Sequence, residues 1–360
     1  MRVLQLIDSL DAGGAERMAV NLANLLSKDI EKSYLVATRK EGLLKQSIDD
    51  SVSYMFLGRK STFDIQSLYR FYRFIKSENI SIIHAHSSSF FMGAMAKLLR
   101  PKVRLIWHDH YGNSNLLEER PYKVLKVCSR LFDAVFCVNS NLIAWGKEKL
   151  GLKSISYLSN FVLPKRNYDK ETILKGREGK RILCLANLRP QKDHFNLVDA
   201  FAAICEQFPE WTLHCVGKDF NDSYSRELKL YVENHSLNDN IYFYGSKSDT
   251  EYIISQSTIG ILSSESEGLP LALIEYGFGA LAAISTNVGD CTRVINDNTK
   301  GLLVAPKNAK ALSDAMVHVM SDKKLRLELG TNLKAHVLSN FSKDAVRESL
   351  LLKYEEVQPK

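Results

Sequence analysis

Two acids stand eight positions apart, Glu267 and Glu275, on either side of the turn Gly268-Leu269-Pro270. The run Ser263-Ser264-Glu265-Ser266-Glu267 precedes that turn, and Leu271-Ala272-Leu273-Ile274-Glu275 follows it. Apolar residues 259–262 read as a strand before the turn, and 271–278 as a helix after it. Glu267 is expected in the turn, and Glu275 about one helical turn beyond the helix start. The N–H groups of Gly268, Leu269 and Leu271 would then lie near a helix start, where anions are favoured. Like charges repel, so the two carboxylates suit sugar hydroxyls, while the bare amides suit a phosphate.

Four further segments carry suitable chemistry. Asn187-Leu188-Arg189-Pro190-Gln191-Lys192-Asp193-His194 follows an apolar run at 182–186 and precedes a helical pattern. Arg189 and Lys192 are expected to clamp a diphosphate, the first as a bidentate fork and the second as a point charge. Gly13-Gly14-Ala15-Glu16-Arg17 lies between a strand at 3–7 and a helix starting near Ala15. Paired glycines admit a bulky anion close to the backbone, and a helix start offers free N–H groups. This is not the GxGxxG dinucleotide fingerprint. His84-Ala85-His86 and His108-Asp109-His110 each close a strand pattern, where a histidine is placed for ligand contact or proton chemistry. Two HxH spacings raise the question of a metal. Carboxylate and third-ligand partners at metal spacing are not evident, and no metal is expected.

Strands and helices must position these segments. Short β-branched and aromatic runs at 3–7, 34–37, 80–85, 104–107 and 134–138 alternate with amphipathic stretches such as 15–27, where Met18, Leu22, Leu25 and Leu26 share a face. The alternation resumes with strands expected at 182–186, 213–216, 241–243, 259–262 and 282–285, and helices near 196–206, 223–234, 271–278 and 309–320. Such alternation predicts parallel sheets with crossover helices. Two series in 360 residues predict two doubly wound α/β domains. The boundary is expected within 160–181, at Pro164 and the polar stretch 165–180, giving domains 1–163 and 164–341; 342–352 reads as a final amphipathic helix. Ligands of open α/β sheets bind at the carboxyl ends of the strands. These segments are therefore expected to face a cleft between the domains.

The composition, 45% hydrophobic, 25% charged and 9% aromatic, excludes disorder and collagen for the bulk of the chain. No window of about 18 uninterrupted apolar residues calls for a transmembrane helix. The N-terminal run meets Asp8 too early for a secretory signal, so a cytoplasmic protein is expected. Six cysteines at 128, 137, 184, 205, 215 and 291 form no CxxC pair and are expected as free buried thiols.

The net charge of +7 is uneven. Residues 1–160 hold 23 basic and 15 acidic residues, or +8, and the remainder 25 and 26, or −1. The first half is expected to face an anionic partner. Leu68-Tyr69-Arg70-Phe71-Tyr72-Arg73-Phe74-Ile75-Lys76 is basic and aromatic, as is 120–126. Such a helix suits an anionic bilayer; a core-packed helix with solvated cations is the alternative. No nucleic-acid recognition motif is present, and no nucleic-acid partner is expected.

The ordered set of Gly13-Gly14-Ala15-Glu16-Arg17, His108, Arg189 with Lys192, and the Glu267/Glu275 pair with its turn resembles the GT-B glycosyltransferases, in particular the retaining family 4 group. The resemblance covers nearly the whole chain. It implies two Rossmann-like domains, the first binding mainly the acceptor and the second the nucleotide-sugar donor, with the last helix, in 342–360, crossing back to the first. It assigns Gly14, beside Ala15, to the donor phosphate, and Arg189 and Lys192 to the departing diphosphate. Glu267 would contact the donor sugar hydroxyls, Gly268, Leu269 and Leu271 would offer N–H groups, and Glu275 would hold the ribose. Tyr244 and Ser246, flanking Gly245, would read a nucleobase edge. His108 is placed on the sugar or acceptor side, with His110 open as the alternative and His86 a further acceptor-side candidate. One departure is Asp193-His194 after Lys192, where the family has a glycine, which leaves the local turn open.

No DxD motif occurs, so side-chain cations and helix starts are expected to neutralise the diphosphate, with no metal or other cofactor. The implied reaction is retaining transfer of a hexose or N-acetylhexosamine from a nucleotide diphosphate sugar, most commonly a UDP-sugar, to a hydroxyl of a glycan or lipid-linked acceptor. Cell-surface polysaccharide or lipopolysaccharide synthesis is the implied setting, with peripheral contact at the cytoplasmic face of an anionic membrane. A GT-B-shaped UDP-sugar 2-epimerase and a noncatalytic nucleotide-sugar-binding module are the alternatives.

Overall fold

The computed structural model describes residues 1–11, 13–111, 117–159, 161 and 170–358. The chain divides into two compact units, Met1–Asn160 with Val346–Lys360, and Phe161–Ala345. Pro164 and most of 160–169 lie outside the described residues, as do Ala12 of the first glycine turn and Gly112 after the second histidine pair.

Unit 1 alternates β1 (Arg2–Ser9), α1 (Gly14–Leu26), β2 (Lys32–Lys40), β3 (Ser53–Phe56), α2 (Ile65–Ser77), β4 (Ile82–His86), α3 (Phe90–Leu99), β5 (Arg104–Asp109), α4 (Lys123–Cys128), β6 (Ala134–Cys137), α5 (Ser140–Leu150) and β7 (Ile155–Tyr157). Among the described residues the sheet is seven-stranded and parallel, in the order β3-β2-β1-β4-β5-β6-β7. The central β1 reads Val3-Leu4-Gln5-Leu6-Ile7 and is buried throughout, the near-continuous apolar run of a parallel strand covered on both faces. Gln5 is the polar exception. In α1 the expected stripe of Met18, Leu22, Leu25 and Leu26 is buried. The basic aromatic segment forms α2, capped by Asp64, whose carboxylate accepts from the Ser67 N–H at 3.0 Å. Phe71 and Ile75 enter the core, leaving Ile65 and Tyr69 exposed.

Unit 2 contains β8 (Arg181–Leu185), α6 (His194–Cys205), β9 (Thr212–Val216), α7 (Ser223–Asn234), β10 (Ile241–Phe243), α8 (Thr250–Ser255), β11 (Ile259–Leu262), α9 (Leu271–Phe278), β12 (Ala282–Thr286), α10 (Cys291–Val294), β13 (Leu302–Val304), α11 (Ala309–Ser321) and α12 (Lys323–Asn340). Its parallel sheet runs β10-β9-β8-β11-β12-β13 among the described residues. The last helix, α13 (Lys343–Val357), extends beyond the expected 342–352 and buries Val346, Leu350 and Tyr354.

Three observed strands were not expected. β3, β7 and β13 are edge strands of three or four residues, too short to show a periodicity. β5 also runs two residues past the expected end at Trp107, which places His108 within the strand rather than at its tip. Among the described residues no helix is long and apolar enough to cross a membrane. All six cysteines are free; Cys205 is half-buried and the others buried.

Candidate active site

In unit 2, the loops after β8 and β11 are laced together by polar contacts. Lys192 Nζ lies 2.6 Å from Glu267 Oε1, and Ser264 Oγ donates to the same oxygen at 2.6 Å. Ser263 Oγ donates to the Lys192 carbonyl at 2.9 Å, and the Glu265 N–H to the Gln191 carbonyl at 2.9 Å. The loop after β12 braces the turn from behind: the Asp290 N–H donates to the Gly268 carbonyl at 3.0 Å, and Thr286 Oγ1 to the Ser264 carbonyl at 2.6 Å. Gly289, at φ +52°, passes so close that a Cβ there would meet the Glu267 carbonyl oxygen at 2.1 Å.

Beside this lacing opens a cavity of about 460 Å³ at the carboxyl ends of the strands, and Lys192, Glu267, Ser246, Leu269, Leu271 and Glu275 are among its walls. The Glu275 carboxylate has no hydrogen bond or ion pair to another described residue. Burial, with the Glu251 charge adding, pushes its carboxyl up to about 7. A half-buried acid of this kind is ready to accept from, or donate to, ligand hydroxyls.

The open question of the turn after Lys192 has a local answer. Asp193 adopts the left-handed conformation, φ 46° and ψ 54°, and its carboxylate accepts from the Asn196 N–H at 3.3 Å. Asp is among the few residues that reach this region at modest cost. It therefore performs both the turn and the cap of α6.

Other candidates fall elsewhere. Arg189 is exposed and does not belong to the cavity wall; its guanidinium lies 4.5 Å from the Phe220 ring centroid. Of the expected two-cation clamp, Lys192 lies on this wall and Arg189 rests against Phe220; a second cation on the wall is Lys247. The turn after β10 is divided, because Ser246 reaches the wall and Tyr244 does not. The Tyr244 hydroxyl accepts from the Lys175 N–H at 3.1 Å and lies 3.0 Å from His214 Nδ1. The Gly268 carbonyl accepts from the Asp290 N–H, while Leu269, Pro270 and Leu271 of its turn line the cavity.

The wall also includes residues that motif reading missed: Asn187, Gly217, Lys247 and Thr250. Gly217 carried a legible signal, a glycine directly after a strand. A Cβ there would meet the Ala186 carbonyl oxygen at 2.1 Å. Asn187 closes the same corner by accepting from the Lys218 N–H at 2.8 Å.

In unit 1 the histidines of the two HxH pairs stack on one face of the sheet, with His86 in register with His108. His84 and His86 lie 4.6 Å apart at 15°, His84 and His108 5.2 Å at 21°, and His108 and His110 3.9 Å at 37°. His108 is fully buried, and neither of its ring nitrogens has a partner. Expected at a strand tip, it is instead an interior ring, while His110, one residue beyond the end of β5, is half-buried. Between them Asp109 is gripped by Arg120 at 2.7 and 2.9 Å, and the Arg120 guanidinium lies 4.3 and 4.4 Å from the Tyr111 and Trp145 rings. Arg120, expected on a membrane-facing basic stretch, is thus a buried structural cation. Ring nitrogens of His84, His86 and His108 lie within 4.8 Å of one another. Imidazole lone pairs lie in the ring plane, so near-parallel stacking does not converge them on one metal position.

Gly14 is the exposed first residue of α1, and Ala15 behind it is half-buried. No atom lies within 4 Å of where a Gly14 Cβ would stand, so packing within unit 1 does not require a glycine there.

Known proteins match both units. Residues 165–336 match the family described as glycosyl transferases group 1, and residues 12–166 match glycosyltransferase family 4. The chain is 26% identical to the O-antigen biosynthesis glycosyltransferase WbnH of Escherichia coli, over 83% of this chain and 84% of that one. It is 24% identical, over 99% of both chains, to the Campylobacter jejuni GalNAc-alpha-(1->4)-GalNAc-alpha-(1->3)-diNAcBac-PP-undecaprenol alpha-1,4-N-acetyl-D-galactosaminyltransferase. The crystal structure of Anabaena HepE in complex with UDP superposes with a TM-score of 0.79 at 16% identity, covering 99% of this chain and 100% of that one. With two Rossmann-like units of this topology and both family patterns in sequence order, the chain belongs to the group 1, family 4 glycosyltransferases of GT-B fold.

Proposed function

We propose that the enzyme transfers a hexose or N-acetylhexosamine, with retention at the anomeric carbon, from a UDP-sugar to a hydroxyl of a glycan or polyprenyl-diphosphate-linked acceptor in cell-surface polysaccharide synthesis. The observation that carries this reading is the single cavity that brings Lys192, Glu267 and the unpartnered Glu275 together at strand ends. Cation and carboxylates there match a ligand with both phosphates and hydroxyls. The relatives named for O-antigen and undecaprenol-linked glycans, and the UDP-bound neighbour, support the acceptor and nucleotide classes.

The chemistry follows from charge development. Breaking the bond from the anomeric carbon to the phosphate oxygen builds positive charge on the sugar and negative charge on the leaving UDP. Lys192 and the helix start at Leu271 stabilise the second. Glu267 already accepts from Lys192 and Ser264 through one oxygen, so it serves as a hydrogen-bonding anchor rather than a free nucleophile. The acceptor hydroxyl then attacks from the face the leaving group vacates, and its proton passes to the departing phosphate oxygen. With Lys192 and bare amides neutralising charge, the reaction is proposed to need no metal or other cofactor.

The acceptor class also fits the surface of unit 1. Ile65 and Tyr69 are exposed on α2 beside Arg73 and Lys76, and Val124 and Val127 on α4 beside Lys123 and Lys126. Basic side chains interleaved with exposed apolar ones suit an anionic lipid surface, which would place the enzyme peripherally on the cytoplasmic face of the membrane.

The test is a screen of UDP-, GDP- and ADP-sugars by thermal shift, followed by transfer to a polyprenyl-diphosphate glycan in the presence of EDTA. A midpoint raised by UDP-sugars and an α-configured product from an α-configured donor support the reading. Inverted product, a sugar trapped on Glu267, or epimerised donor without transfer refutes it.

A further inference from the structure

A directional chain of hydrogen bonds runs through the buried polar face of unit 1. His110 Nε2 lies 3.0 Å from His86 Nδ1, and His86 Nε2 lies 2.8 Å from Gln5 Oε1. Gln5 Nε2 donates to the Tyr354 hydroxyl at 3.1 Å, and that hydroxyl lies 2.6 Å from His84 Nδ1. Five side chains, from β1, β4, the residue after β5 and α13, are thereby joined, with His110 at the half-buried end and the helix residue Tyr354 deep inside.

The orientation of the Gln5 amide, Nε2 toward Tyr354 and Oε1 toward His86, sets the direction of this chain. The Gln5 carbonyl oxygen can only accept, so His86 carries its proton on Nε2. A neutral imidazole has one N–H, so His86 Nδ1 must accept, and His110 must donate from Nε2. His110 Nδ1 is left with a lone pair. At the other end the Tyr354 hydroxyl accepts from Gln5 and donates to His84. Burial keeps these rings neutral, pushing His84 down to about 3 and His86 well below its ordinary value. His108, its ring centroid 3.9 Å away and tilted by 37°, backs the His110 ring.

We propose that Gln5, His86 and Tyr354 are positioning residues that hold His110 in its Nε2–H tautomer and present its Nδ1 lone pair, at the carboxyl end of β5, to a substrate hydroxyl. The identity of that hydroxyl, on donor sugar or acceptor, rests on the transferase reading; the tautomer does not. The network makes α13 part of the setting of a histidine at the carboxyl edge of the first sheet.

The test uses the full-length protein labelled with ¹⁵N-histidine, read by long-range ¹H–¹⁵N correlation. The expected wild-type spectrum shows His110 as the Nε2–H tautomer. Gln5→Leu removes the acceptor that orients His86, and His110 is expected to become a mixture of tautomers. Gln5→Glu supplies an acceptor oxygen again and is expected to restore the wild-type pattern. Tyr354→Phe keeps the ring packing, checked by thermal midpoint, and frees the Gln5 amide to reverse, giving a partial mixture. Release of UDP from UDP-galactose is expected to lose about tenfold in kcat in Gln5→Leu, with KM unchanged and recovery in Gln5→Glu. An Nδ1–H tautomer in the wild type, or a His110 spectrum unchanged in folded Gln5→Leu, overturns the inference. The expected tautomers in a protein that releases no UDP from any UDP-sugar would uphold the relay and sink the transferase reading alone.

Discussion

Lys192 and Glu267, seventy-five residues apart in sequence, meet at 2.6 Å and join the loops that follow β8 and β11. The contact joins the cation of one loop to the acid of the other, on the wall of the cavity. Lys192→Ala and Glu267→Ala should each lower kcat about 100- to 1,000-fold, the usual effect of losing one transition-state contact. Circular dichroism and the thermal midpoint should stay near wild type, because both side chains border a cavity. A stopped-time assay of sugar transfer checks the first expectation and a melt the second.

The two arginines give a contrast. Arg120→Ala leaves Asp109 as a buried, unpaired carboxylate, which costs about 3–5 kcal/mol when a buried pair is broken. Burial already raises the Asp109 pKa against the opposing pull of Arg120, so the acid has little reserve. Arg189→Ala removes an exposed cation from the Phe220 ring and should cost under about 1 kcal/mol. Urea titrations of the two variants would separate them. An Arg189→Ala enzyme with kcat at the Lys192→Ala level would restore Arg189 to the phosphate site.

Glu275 predicts a pH dependence. Its folded pKa, about 7, lies above the ordinary value of 4.5, so the folded state binds the extra proton between those limits. Stability should therefore fall as pH rises from about 4.5 to 7 and level off above. Glu275→Gln should flatten that slope, as measured by the thermal midpoint across this range. It should also raise the KM for the donor if the carboxylate accepts from ribose hydroxyls.

Two glycines can be tested without touching a charged group. Gly217→Ala would push a methyl to 2.1 Å from the Ala186 carbonyl oxygen. Gly289→Ala would do the same to the Glu267 carbonyl, in a conformation that already disfavours a side chain. Each should destabilise by about 1–3 kcal/mol. Gly289→Ala should additionally depress kcat, because the displaced strand end carries the Glu267 turn. Gly14→Ala, where space is open and the backbone helical, should leave the melting temperature unchanged or raise it slightly.

The fold and much of the site were legible where local chemistry agrees with position. Parallel strands buried on both faces show as apolar runs, and turns after them collect Gly, Ser and charged residues; the Ser263–Glu275 segment displays both. The edges escaped notice because β3, β7 and β13 hold only three or four residues, and their burial is partial. The 18-residue α12 was also missed, since its apolar positions, Leu329, Leu333 and Val337 among them, are scattered between lysines and leave no clear stripe. His108 was misplaced because nothing in a single strand marks where pairing ends; two further residues of β5 are held by the register of β4 and β6. Arg189 and Lys192 look equivalent in a loop. Only Phe220, from a distant segment, separates them. Asn187 and Thr250 gave no signal at all, because an uncharged polar residue on a wall resembles one on a surface.

Unit 1 is assembled from both extremes of the chain, since Val346–Lys360 packs with Met1–Asn160. On a ribosome, Gln5 and His84 are made hundreds of residues before the Tyr354 hydroxyl that completes their hydrogen bonds. The nascent first sheet must wait with a polar patch uncovered while the whole second unit is synthesised. Emergence of α13, rather than of the first half, is then the moment at which that sheet closes. Losing Val346–Lys360 would injure the first sheet, hundreds of residues away in sequence, more than the second unit that α13 follows.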